Sequence, residues 1–79
     1  MSPVIVRSRG YRVIIFTNDH PPAHIHVRRA GKKARVRLEP VELLNDYGYS
    51  SREIKQILKL VQDNQTVLLT QWDRYHTSR

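Results

Sequence analysis

Apolar and polar positions alternate with period two through much of the first half of the chain, then recur at steps of three and four through the last third. "VIVR" (4–7) and "YRVIIFT" (11–17) are rich in β-branched and aromatic residues, and "HIHVR" (24–28) and "KARVRL" (33–38) alternate strictly. "SRG" (8–10) and "RAGK" (29–32) separate them as turns. A first turn centred on Arg9 and Gly10 sets Val6 opposite Val13 and Val4 opposite Ile15. A second centred on Ala30 and Gly31 sets Val27 opposite Ala34 and Ile25 opposite Val36, so that small and apolar residues share one face. The other face then carries His24 opposite Arg37, His26 opposite Arg35 and Arg28 opposite Lys33.

"NDHPPA" (18–23) must be a loop, because two successive prolines cannot serve a sheet ladder. Residues 39–49 read as a connecting loop or short strand, interrupted by Pro40 and bent at Gly48. "SSRE" (50–53) is a capping box, with Ser50 as N-cap and Glu53 three residues on. Ile54, Leu58, Val61, Gln65, Leu68, Trp72 and Tyr75 then form a helical stripe, widened by Ile57 and Leu69. A helix over 51–76 would run about 39 Å at 1.5 Å per residue. That is long for so small a sheet, and Asp63-Asn64 is the place for a kink or a split. With no Gly or Pro to enforce a break, one long or kinked helix is expected. The fold class is α+β: an antiparallel sheet of about four strands packed on one C-terminal helix, in a single domain over 1–79. Ile5, Ile14 and Phe16 point away from Val4, Val6, Val13 and Ile15. Both faces of the first hairpin are thus apolar, which predicts a surface for a partner or a second copy at Ile5, Ile14 and Phe16. "LLNDYGYSSREIKQIL" (43–58) also has the outline of a helix-turn-helix, but its second helix is weakly basic and strands precede it.

Charge changes this picture. The net charge is +7, and residues 1–37 hold nine Lys or Arg against one acid, whereas residues 38–79 hold five against six. The basic charge belongs to the hairpins, which suggests a polyanionic partner such as RNA or another nucleic acid. Cysteine is absent, so disulfides and thiolate metal sites are excluded. No apolar run approaches the roughly 20 residues that span a bilayer, and "MSPVIVRSRG" lacks the apolar core of a secretory signal. A cytoplasmic location is expected.

Three of the four histidines fall within residues 20–26. Arg28, Lys33, Arg35 and Arg37 share a face with His24 and His26, and like charges across a ladder are tolerated in water or where an anion sits on them. A phosphate-binding surface is one reading and a solvated outer face the other. No aromatic residue interleaves on this hairpin, so base stacking by it is not expected. For the histidines three readings compete. They are polar strand residues that order the Pro-Pro loop, or a metal site of His24 and His26 with His20 or Asp19 as third ligand. Or His24 and His26, supported by His20, are the acid/base pair of a metal-independent ribonuclease, with arginine stabilising charge on phosphorus. No cofactor is implied. Glu39 and Glu42 flank Pro40 without being placed near the histidines. Trp72 and Tyr75 belong to the core, and His76 suits a helix C-terminus.

The stretches "MSPVIVRSRGYRVIIFTNDHPPAHIHVRRAGKKARVRL", "GYSSREIKQILKLV" and "LLTQWDRYH" resemble a family of small bacterial proteins classed as a domain of unknown function. The shared positions are Pro3, Arg7, Gly10, Asp19, His20, Pro22, His24, His26, Gly48, Ser50, Glu53, Trp72 and Tyr75, with a departure at Ala23. The resemblance implies the toxin half of a toxin–antitoxin-like gene pair, neutralised by a small cognate protein and acting on RNA. It implies no particular chemistry.

Overall fold

Two tight turns set the sheet. In the computed structural model, which describes residues 4–76, Arg9 and Gly10 have φ of 54° and 82°, and Ala30 and Gly31 have φ of 50° and 80°. Paired positive φ values match the twist of two-residue hairpins. Glycine adopts them freely, while Arg9 and Ala30 each bear a cost of roughly 1–2 kcal/mol. Pro3, one of the positions shared with the family pattern, lies outside the described residues.

Five strands follow in chain order as an antiparallel meander: β1 (Val4–Ser8), β2 (Tyr11–Ile14), β3 (His24–Arg29), β4 (Lys32–Leu38) and β5 (Val41–Tyr47). The β3–β4 register is the one that alternation dictates, with Ile25 opposite Val36 and Val27 opposite Ala34. In the first hairpin Val6 faces Val13, but Val4 faces Ile14 rather than Ile15, because the register shifts between Val4 and Val6. A bulge places one extra residue on its strand and re-aims its neighbours. Ile5, the residue in the shift, packs half-buried against the core. Ile14 is 7% exposed, and Phe16 lies on the His26 ring. Of the expected apolar patch, Ile14 is buried, while Ile5 and Phe16 are partly exposed.

The segment 39–49 corrects the sequence reading. It forms a full strand, β5, bulged opposite Arg35 and Val36. Val41 and Leu43 pack against the core, which is why a strand forms despite Pro40. The sheet thus has five strands, not about four, and no helix-turn-helix exists because strand precedes α1 (Ser51–Asp63).

The C-terminal helix is split. α1 begins with the capping box: Ser50 Oγ accepts from Glu53 N, and Glu53 Oε1 accepts from Ser50 N. It ends at Asn64, whose φ of −114° and ψ of 15° leave the helical region. The Asn64 amide donates to the Leu60 carbonyl at 2.8 Å, and its own carbonyl starts α2 (Gln65–His76) by accepting from Leu68 N. A side chain that bonds its own backbone replaces the ladder there, so the break needs neither Gly nor Pro.

The core lies on one face of the sheet. Val13, Ile15, Ile25, Val27, Val36 and Leu38 meet Ile57 and Val61 of α1 and Leu68 and Trp72 of α2. Each large apolar side chain removed from water contributes roughly 1.5–3 kcal/mol. α2 closes the end of the sheet where β3 starts and β4 finishes: Gln65 Nε2 donates to the Leu38 carbonyl at 2.7 Å. Leu38 N donates in turn to the Ala23 carbonyl. Trp72 is buried as the stripe predicts, but Tyr75 is 36% exposed and is not core. No helix among the described residues is long and apolar enough to cross a membrane.

Candidate nucleic-acid interface and histidine cluster

The strand registers order the outer face into rows. One row crosses the whole sheet as Arg7, Arg12, Arg28, Lys33 and Tyr47, each the cross-strand partner of the next. The second runs Ile14, His26, Arg35 and Asn45, and the third His24, Arg37 and Glu42. In the first row all four cations are exposed, and among the described residues none has an ion pair. At about 4.8 Å per strand the four span about 14 Å. Like charges directly opposite destabilise a ladder, so this row is electrostatic cost in the free protein.

Beside that row is a shallow groove of about 320 Å³, lined by Phe16, His26, Arg28, Lys33, Arg35, Asn45 and Tyr47. Aromatic rings mark its edges. The Arg28 guanidinium lies 5.5 Å from the Phe16 ring centre and the Lys33 ammonium 5.6 Å from that of Tyr47. Tyr47 is 59% exposed. The Asn45 amide sits against the Arg35 guanidinium, and its oxygen accepts from Arg35 at 3.1 and 3.3 Å when the amide is turned over. The hairpin alone has no aromatic residues, as read from sequence. The loop after β2 and the end of β5 supply them.

At the other end, Asp19 reaches back from the loop. Its Oδ2 lies 2.7 Å from His26 Nε2 and 3.0 Å from His24 Nε2. His24 is 7% exposed, and its Nδ1 donates to the Pro22 carbonyl at 2.9 Å. Its ring sits 5.3 Å from Trp72. The His26 ring lies 4.0 Å from Phe16. Burial favours neutral His26 and holds it below the ordinary histidine range, outweighing the hydrogen bond to Asp19. Burial opposes ionisation of Asp19 too, but the hydrogen bond and charge of His26, then those of His24, outweigh it and hold the carboxyl low.

The structure thus brings together His24 and His26, as their i, i+2 spacing requires, and adds Asp19. His20 is exposed and stands apart from the cluster. Successive loop residues diverge, and the inward position is taken by Asp19. His24 is buried, with Nδ1 on the Pro22 carbonyl and Nε2 facing the Asp19 carboxylate. Of the expected phosphate contacts, Arg28, Lys33 and Arg35 line the groove. Arg37 instead pairs with Glu42 across the β4–β5 ladder. Arg7 and Arg12 join the basic row unanticipated. The Arg9-Gly10 turn already sets Arg7 opposite Arg12, but only the path of loop 15–23 sets Arg12 beside Arg28.

Residues 10–73 match the family described as Domain of unknown function (DUF4160), and the chain belongs to that family. No curated protein and no solved structure matches it.

Proposed function

We propose that this DUF4160 domain binds single-stranded nucleic acid, RNA above all, along the outer face of its sheet. The observation that carries this reading is the row Arg7–Arg12–Arg28–Lys33, four exposed cations held side by side with no ion pair among the described residues. An anion on that row turns repulsion into attraction. Phosphate contacts of this kind supply most of the affinity for nucleic acid. Tyr47 and Phe16 flank the groove beside the row and favour a strand whose bases are free to stack. In a toxin-like module, as the family resemblance implies, this groove is the surface a small cognate protein would have to cover. The reading is one of binding, because it rests on the exposed basic row and not on the buried His24.

The test is fluorescence anisotropy of a labelled single-stranded RNA, with the same mixture run on a gel. Four neutralised phosphates predict that log K falls against log salt with a slope of about −3, at roughly −0.7 per contact. The joint variant Arg12→Ala and Arg28→Ala should halve that slope and leave the melting temperature intact. Binding that ignores salt, or that survives unchanged in the variant, overturns the reading.

A further inference from the structure

We propose that Asp19, His24 and His26 form a binding site for one divalent transition-metal ion of the zinc class. This goes beyond the nucleic-acid reading and does not depend on it. The donor atoms are Oδ2 of Asp19 and Nε2 of both histidines, and all three lie within 4.8 Å of one another. Donors about 2.0–2.1 Å from a tetrahedral zinc stand about 3.4 Å apart, so small side-chain rotations suffice to seat the ion.

Hydrogen-bond geometry points the same way. The Pro22 carbonyl can only accept, so His24 Nδ1 donates to it. That leaves Nε2 facing the Asp19 carboxylate at 3.0 Å, and His26 Nε2 faces the same oxygen at 2.7 Å. The hydrogen bond from the ring nitrogen opposite the donor to a backbone carbonyl is how metal-binding histidines are usually oriented. The rings are also held in place: His26 by Phe16, and His24 by burial beside Trp72. Three protein ligands would leave a fourth position open, and one of the three, His26, also lines the groove.

Protein made without a histidine tag and stripped with EDTA would be titrated with zinc chloride by calorimetry and by thermal denaturation. Cobalt chloride would serve as the visible-absorption probe. One equivalent of zinc should bind, with a melting-temperature rise of about 15 °C at a hundredfold excess over Kd. Cobalt should give the intense visible bands of a low-coordinate site. Asp19→Asn, which keeps the shape of the side chain, and His26→Ala should each weaken binding at least about 100-fold and abolish the bands. His20→Ala should bind as the wild type does. Failure of wild-type protein to bind zinc stoichiometrically overturns the proposal. So does retention of binding in folded Asp19→Asn together with its loss in His20→Ala. RNA binding through the basic row is read separately and stands or falls on its own salt slope.

Discussion

The two ends of the outer face differ in how their charge is answered. At one end Asp19 and Glu42 meet His24, His26 and Arg37, so every group faces a partner. At the other, Arg7, Arg12, Arg28 and Lys33 stand in line with no ion pair among the described residues. The same strands and the same alternation build both ends. What separates them is where acids enter: one from the loop after β2, one from β5. A compensated end is suited to hold a cation, while an uncompensated one awaits an anion.

The largest test of that contrast is Arg28→Glu. It places an acid between Arg12 and Lys33, its two cross-strand neighbours. RNA affinity should fall roughly 25-fold at 0.1 M salt, since two charges change. The melting temperature should hold or rise, because repulsive neighbours become attractive ones worth roughly 0.2–1 kcal/mol each. A variant that loses stability and binding together would show that the row is structural.

Tyr47→Ala separates stacking from charge. Affinity should fall about tenfold, within the range for one aromatic–base stack, while the salt slope stays unchanged. A shallower slope in this variant would mean that Tyr47 acts by placing Lys33, whose ammonium lies over its ring.

Glu42→Ala attacks the contrast from the compensated end. It frees Arg37 and extends the basic surface by one cation. RNA affinity should rise about fivefold at 0.1 M salt and the slope should steepen by about 0.7. Unchanged affinity would place that end outside the bound strand.

The difference between the ends also explains what the sequence could disclose. Within each hairpin, alternation and the Arg9-Gly10 and Ala30-Gly31 turns fix which residues pair, so His24, His26, Arg28, Lys33 and Arg35 on one face were legible. Between hairpins the information is carried by the loop 15–23, where no period operates. The adjacency of Arg12 to Arg28 could not be read from it, nor which of Asp19 and His20 turns back to the histidines. The bulge at Ile5 likewise has no local signature, and it moves Val4 from the partner that strict alternation gives it. β5 was obscured because Pro40 and Gly48 bracket it with turn chemistry. The helix break at Asn64 was visible as a weak point, but the bond from its side chain to Leu60 decides it. The capping box, being local, was fully legible.

The turn between β3 and β4 repeats the contrast at smaller scale. Arg28 and Lys33 face outward with no ion pair among the described residues, whereas Arg29 and Lys32 turn inward to Glu53 at 3.5 and 3.3 Å. Hydrogen bonding from the Ser50 backbone, then Lys32, holds Glu53 below the ordinary glutamate range. A depressed carboxyl stabilises the fold fully above its unfolded-state value, and that contribution is lost as pH falls through the folded-state value. Glu53→Gln keeps the cap, since glutamine serves a capping box, and removes only the charge. Its melting temperature should lie a few degrees below wild type at neutral pH. The gap should close in acid, where the wild-type carboxyl is protonated too. RNA affinity should be unchanged, because Glu53 answers the inward pair and not the outward row. A gap that persists in acid would assign the effect to the cap, and a rise in affinity would mean that the bound strand senses both faces of the turn.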